Sequence, residues 1–345
     1  MMNSLNAQRK RFLFRFSAVV VAVFGCTYYV FFFPNYYSDP KGKLVTISRG
    51  ASFRTVADSL ASTGAIRNTW SFELAGRILG STKSIKVGKY LFVSGRSNFD
   101  ILRDISYGKS RLIIPVTIPE GWPLDKIAHR FEHDLGIDEK LFLSLCQNEN
   151  FIHDQGINAK SVEGYLLPDT YSFYWQTDEQ EILTRILNGF KHFYNDSLTK
   201  KQDDLGKTQS EILTLASIVE AESNVDEERP RVAGVYWNRL KKHMRLEADP
   251  TVQYALGEGR RLRFLDLDVN SPYNTYRRRG LPPGPINNPG RLSILATLYP
   301  EQHDYLFFVA TGTGGHRFAK NYSDHQKNIR MYHHTKRELK QLSSK

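Results

Sequence analysis

Two acidic residues, Glu220 and Glu222, close the segment Thr208-Gln-Ser-Glu-Ile-Leu-Thr-Leu-Ala-Ser-Ile-Val-Glu-Ala-Glu222. Thr208 and Glu211 have the spacing of a capping box, so a helix should run from Ser210 to about Ala221. Ile212, Leu215, Ala216 and Val219 then form one apolar stripe that buries one side. Glu220 falls at the rim of that stripe and near the helix C-terminus. Apolar neighbours and the negative end of the helix dipole both disfavour a bare carboxylate there. The setting favours a glutamic acid that keeps its proton near neutral pH, as a general acid for glycosidic cleavage must. Glu222, two residues on, projects from a different face. It suits a hydrogen-bonding support or a cap near Ser223-Asn224 better than a second catalytic carboxylate.

Other reactive residue types give weaker patterns. Of the two cysteines, Cys26 lies in an apolar run and Cys146 in Leu-Phe-Leu-Ser-Leu-Cys146, which reads as helix packing rather than a nucleophile. No Cys/His zinc spacing exists, so neither a metal nor a cofactor is expected. His316 and His325 lack partners at ligand spacing and read as structural. Glu163-Gly-Tyr precedes a turn at Pro168-Asp169, where Glu163 could orient a sugar hydroxyl or Glu220, or pair with an arginine. Asp249-Pro-Thr has the form of a helix start, with Asp249 as N-cap. Asn274, in the loop Pro-Tyr-Asn-Thr-Tyr276, could bind an N-acetyl group, and Tyr273 and Tyr276 could stack on sugar rings. Arg260-Arg-Leu-Arg263 and Arg277-Arg-Arg279 could attract carboxylates, or be solvated loops.

These residues need a scaffold, and the chain supplies one in parts. Eighteen uncharged residues from Phe16 to Phe33 follow Arg9, Lys10, Arg11 and Arg15. That is near the minimum for a membrane span, with the short N-terminus in the cytoplasm by the positive-inside rule. No small-x-small cleavage pattern follows, so a retained anchor is expected rather than a signal peptide. Asn35 to Lys43 reads as a polar connector. An internal repeat comes next: Val45-Thr-Ile-Ser-Arg-Gly50 recurs as Val116-Thr-Ile-Pro-Glu-Gly121, and the helical spacing beyond it stays in register. Each copy reads as strand, turn, helix, helix. The first closes on a strand from Val87 to Val93 and resembles the LysM module that binds N-acetylglucosamine polymers; the second lacks a clear closing strand. The expected fold class is α+β: residues 1–15 cytoplasmic, 16–34 transmembrane, 35–110 connector and LysM-like βααβ module, 111–345 a mixed α+β catalytic domain. Tyr305 to Thr311 should be a buried strand, and Ser323 to about Leu342 a polar, basic helix. The net charge of +11 fits nucleic acid, acidic lipid or an acidic polymer. Export and the lack of a nucleic-acid motif argue against the first.

Glu163-Gly-Tyr-Leu-Leu-Pro-Asp-Thr-Tyr171, Ser217-Ile-Val-Glu-Ala-Glu222, Asn238-Arg-Leu240 and Met244-Arg-Leu-Glu-Ala-Asp-Pro-Thr-Val252 follow one another along the chain. Ser271-Pro-Tyr-Asn-Thr-Tyr276, Gly280-Leu-Pro-Pro-Gly-Pro-Ile286, Asn288-Pro-Gly290 and Tyr305-Leu-Phe-Phe-Val309 continue the series. In order and content this resembles the MltG-like, or YceG-like, endolytic murein transglycosylases from roughly Leu44 to Tyr332. Leu167, Ser223 and Glu247 depart from the family pattern. The resemblance implies a membrane-anchored lytic transglycosylase with Glu220 as its acid and base, leaving 1,6-anhydromuramic ends on peptidoglycan and terminating or trimming nascent strands. Glu163, Tyr165, Glu222, Asn238, Asp249, Tyr273, Asn274 and Tyr276 would bind substrate or support the site. Partners would be glycan strands, the cytoplasmic membrane and cell-wall synthases. The alternative is a non-catalytic wall-binding scaffold.

Overall fold

The computed structural model describes residues 2–257 and 259–342 and divides into two compact units. The first takes the chain up to Ile114, with Asp134–Ile137 and Ser172–Thr177; the second takes Pro115–His133, Asp138–Tyr171 and the chain from Asp178.

In the first unit, helix α1 (Met2–Thr27) runs into a wider turn, Tyr28–Phe32, where the Phe33 N–H donates to the Tyr28 carbonyl five residues back. Gln8–Phe32 is long and apolar enough to cross a bilayer. Next come β1 (Pro34–Asn35), β2 (Lys43–Ile47), α2 (Phe53–Ser62), α3 (Thr69–Ile78), β3 (Gly88–Phe92), β4 (Arg96–Ser97) and α4 (Asn98–Tyr107). β2 pairs antiparallel with β3, Lys43 opposite Phe92 and Ile47 opposite Gly88. The period-2 pattern turns Val45, Ile47, Tyr90 and Phe92 into the core, where Val56, Leu60, Phe72 and Ile101 meet them. Each of these buried side chains contributes about 1.5–3 kcal/mol. Ser52, Asn68 and Ser97 cap the three helices. The expected connector is not a loose one: Asn35 is buried, accepting from the Arg67 N–H and donating to the Arg96 carbonyl, both at 3.0 Å.

The second copy of the repeat comprises β5 (Ile113–Thr117), α5 (Leu124–Leu135), α6 (Glu139–Cys146), α7 (Glu149–Asp154) and β6 (Thr170–Tyr174). It does have a closing strand, since β6 pairs with β5. Sequence reading missed it because it arrives late: α7 and the loop 155–169, which carries Glu163, are inserted before it.

Helices dominate the rest of the second unit: α8 (Glu179–Phe193), α9 (Asp196–Asp204), α10 (Gln209–Glu222), α11 (Arg229–Lys241), α12 (Asp249–Leu256) and α13 (Arg291–Leu298). The capping box forms as the spacing predicts: Thr208 Oγ1 accepts from the Glu211 N–H at 3.2 Å, and Glu211 accepts from the Thr208 N–H at 2.9 Å. The single stripe does not hold. Every residue from Ile212 to Glu220 is buried, because α10 is the central helix, packed against α9, α11, α12 and α13. Its polar residues are satisfied locally: Thr214 donates to the Ser210 carbonyl and Ser217 to that of Thr214. β7 (Phe307–Ala310) and β8 (His316–Ala319) form an antiparallel hairpin against α14 (Tyr322–Leu342). β7 is half-buried rather than buried. The fold is mixed α+β, with the strands of the described residues paired only in twos.

Candidate active site

Glu220 ends the buried run of α10 at 8% exposure, and its surroundings are less apolar than the stripe implied. Arg229, in the first turn of α11, donates from Nη1 to Oε2 at 2.7 Å. The Gly290 N–H, at the start of α13, donates to the same oxygen at 2.9 Å. The positive end of α13 and a guanidinium thus hold Oε2. Among the described residues both hydrogen bonds fall on that oxygen and none on Oε1. The stem rests against Gly121, where an added Cβ would come within 3.4 Å of Glu220 Cγ.

Arg229 serves more than one acid. Its Nε donates to Asp226 at 3.0 Å, and its Nη2 lies 3.8 Å from Glu120. Burial first, then the charge of Glu220, raises the Glu120 carboxyl above its usual range. Arg229 also donates to Ser293 Oγ. Glu120 and Arg229 were not singled out from the sequence, although a signal existed. Glu120 stands where the first repeat copy has Arg49, a charge reversal between otherwise similar hexapeptides.

Residues 286–290 tie the site together. The Ile286 N–H donates to Ser217 Oγ at 3.0 Å, and Asn287 Nδ2 to the Ser217 carbonyl at 2.9 Å, fixing the strut to α10. Asn288 Oδ1 accepts from the Gly164 and Leu166 N–H groups, and its Nδ2 donates to the Trp122 carbonyl and to Glu163 Oε1, both at 2.9 Å. Glu163 Oε2 accepts from the Leu124 N–H at 3.3 Å. Burial outweighs these donors and raises the Glu163 carboxyl to about 8. Glu163 lines a cavity of about 460 Å³ with Gly121, Ser161, Ala221, Tyr254 and Asn287. Glu163 and Glu220 are thus held by the same strut, Glu163 by Asn288 and Glu220 by Gly290, and neither hydrogen bond of Glu163 comes from an arginine.

The remaining candidates divide. Tyr273 packs its ring 4.8 Å from that of Tyr254 on the cavity wall. Tyr165 is fully buried against Phe190 and is a core residue. Asn274 is fully buried, with Nδ2 donating to the Leu267 and Val269 carbonyls and Oδ1 accepting from the Tyr276 N–H. It fixes its own loop and has no free amide for an acetyl group. Asn238 is spent on the His303 and Tyr305 carbonyls. Asp249 is the first residue of α12 and not its side-chain cap; it accepts from the Tyr276 hydroxyl at 2.6 Å. Glu222 accepts from the Tyr236 hydroxyl at 2.9 Å. Burial, with the charge of Asp249 adding to it, raises the Glu222 carboxyl to about 7. Glu222, Asp249 and Tyr276 are thus engaged in hydrogen bonds at the ends of α10 and α12. Cys146 is buried, its thiol pushed up, and His316 pairs with Glu228 at 2.8 Å. An exposed group, His129 with Glu132 and Glu139, brings three potential ligand atoms within 4.8 Å of one another.

A model of the YceG-like family matches residues 45–331, which include every residue of this site. The chain belongs to the YceG-like family. It is 30% identical over 313 residues to the endolytic murein transglycosylase of Bacillus subtilis strain 168, covering 85% of this chain and 86% of that one. It is also 30% identical over 319 residues to the endolytic murein transglycosylase of Streptococcus pneumoniae strain D39, covering 83% of this chain and 57% of the other. The crystal structure of a yceG-like protein from Listeria monocytogenes superposes with a TM-score of 0.59 at 31% identity, covering 84% of this chain and 99% of that one.

Proposed function

We propose that this YceG-like chain is a peptidoglycan lytic transglycosylase in which Glu220 is both acid and base. The observation that carries the reading is a buried Glu220 held through one oxygen, beside a cavity that Glu163 lines with its carboxyl raised by burial. A hydrolase needs a second carboxylate as nucleophile or base. Glu163, buried and with both oxygens already accepting hydrogen bonds, is poorly placed for either role. A single acid suffices if the substrate supplies the nucleophile. The Glu220 proton passes from Oε1 to the glycosidic oxygen as the bond from muramic acid C1 breaks. The C6 hydroxyl oxygen of the same sugar then bonds to C1, and its proton returns to Glu220. The product is a 1,6-anhydro end, and no water is consumed. Asp226 and Glu120 share the guanidinium of Arg229 with Glu220.

The same reading gives the chain its place. The apolar run from Phe16, within the stretch Gln8–Phe32, anchors it in the cytoplasmic membrane as a single span, with Arg9, Lys10, Arg11 and Arg15 before it retained in the cytoplasm. Residues 35–110 form the connector and LysM-like module, and 111–345 the catalytic domain on the outer side. The names of the bacillary and streptococcal relatives support endolytic cutting. An anchored endolytic enzyme would trim or terminate strands as membrane-bound synthases extend them.

Incubating isolated cell-wall sacculi with the wild type and with Glu220→Gln tests the assignment. The amide keeps the shape and cannot donate the proton. Release of soluble fragments should fall by at least 1,000-fold, while pull-down on the sacculi stays the same. Cleavage retained in the variant would overturn Glu220.

A further inference from the structure

The last turn of the apolar helix is packed into the first unit rather than tethered to it. Val30 is 3% exposed, belongs to the core that holds Phe72 and Ile101, and accepts from Asn98 Nδ2 at 2.8 Å. Tyr29 stacks on Trp70 of α3, ring centroids 6.0 Å apart at 22°. Phe32 packs 5.6 Å from Phe99 of α4. Tyr29 and Phe32 both lie inside the stretch suited to cross a membrane. Whatever depth they reach, Trp70 and Phe99 reach with them.

Length gives the same answer. Phe16–Thr27, the part of the uncharged run before this packed turn, spans roughly 18 Å at 1.5 Å per residue, against about 30 Å of hydrocarbon. With Arg15 and the basic residues before it outside the hydrocarbon, lipid extends up to the packed turn and meets the elements around it. α3 is shaped for that contact. Its inward residues Phe72, Ala75 and Gly76 are in the core, yet its outward face is also apolar, with Trp70 at 54%, Leu74 at 40% and Ile78 at 62% exposure. Their i, i+4, i+8 spacing makes one continuous stripe. Arg67 lies over the Phe33 ring at 4.3 Å, and Arg77 on α3, 71% exposed, pairs with Glu73 one turn back at 3.2 Å. Tryptophan and arginine side by side suit the headgroup level of a bilayer with anionic lipid.

We propose that the outward face of α3, Trp70 with Leu74 and Ile78, is a lipid-contacting surface that seats the first unit on the bilayer at headgroup depth. The inference rests on the anchoring reading above. It makes the span and the first unit one rigid piece, so that unit cannot reach away from the membrane on a flexible stalk.

The test uses the full chain in lipid nanodiscs holding one copy each, with bromines on the shallow carbons of the acyl chains. Wild type is compared with Trp70→Phe, which removes one of four tryptophans. Brominated lipid should quench up to about a quarter of the wild-type emission, and that fraction should vanish in Trp70→Phe. Leu74→Glu with Ile78→Glu should cut the quenched fraction at least in half, while the circular dichroism spectrum stays the same. Equal quenching of wild type and Trp70→Phe, in a chain that resists alkaline carbonate extraction, would overturn the lipid contact and leave the span intact. A chain released by carbonate would sink the anchoring reading, and this inference with it.

Discussion

Three carboxylates converge on Arg229: Glu220 at 2.7 Å, Asp226 at 3.0 Å and Glu120 at 3.8 Å. The guanidinium reaches all three because its donors form a fixed planar fork, which an ammonium cannot copy. Arg229→Lys should therefore lower kcat by about 10–100-fold with little change in KM, since the loss falls on the reacting acid. Steady-state kinetics on soluble glycan strands would check this; an unchanged kcat would remove Arg229 from the mechanism. Glu163 governs a separate, pH-dependent effect. Its carboxyl is raised to about 8 in the fold, whereas an unfolded chain releases that proton near 4.3. Between those values the folded state binds the extra proton, so stability must fall as pH rises. Glu163→Gln should flatten that fall, by on the order of 2–4 kcal/mol at pH 8.5 relative to pH 5. Denaturant titrations at both pH values measure it, and identical pH slopes in the two proteins would contradict the buried neutral acid.

At the scale of elements, the strut 286–290 is where the site is assembled, and Asn288 is its main joint. Asn288→Ala removes four side-chain hydrogen bonds and strands buried partners. It should cost about 3–5 kcal/mol and lower activity even at temperatures where the variant stays folded. Thermal melts beside assays at 10 °C separate the two effects; a stability loss under 1 kcal/mol would mean that the strut is held elsewhere. Thr208→Ala should cost only about 1 kcal/mol. The contrast reflects what the sequence made legible. The Thr208–Glu211 box is local, and so the start of α10 could be read directly. The burial of α10 on all sides is set by α9, α11, α12 and α13, which no period within the helix reveals. Asn274 has a side chain fit for a ligand, but the turn around it uses every polar atom. Glu120 and Arg229 lie 100 and nine positions from Glu220. Only their convergence in the fold marks them, apart from the charge reversal within the repeat.

For the whole molecule, an apolar helix, a repeat and a motif-rich region stand apart in the sequence because they differ in composition and period. Two joints between parts are not legible there. The end of the apolar helix packs into the core of the first unit through Val30, and Asn35 just beyond it accepts from the Arg67 N–H, contacts made far along the chain. The second repeat copy acquired its closing strand only after an insertion that also carries Glu163. The central claim remains the reaction: one acid, with the substrate's own hydroxyl as nucleophile. Mass spectrometry of the products from purified peptidoglycan tests it most directly, with the 345-residue chain and its Glu220→Gln variant side by side. Wild-type fragments ending in 1,6-anhydromuramic acid, absent with the variant, are the predicted result. Fragments with reducing ends would show that water is the nucleophile, and would contradict the single-acid mechanism.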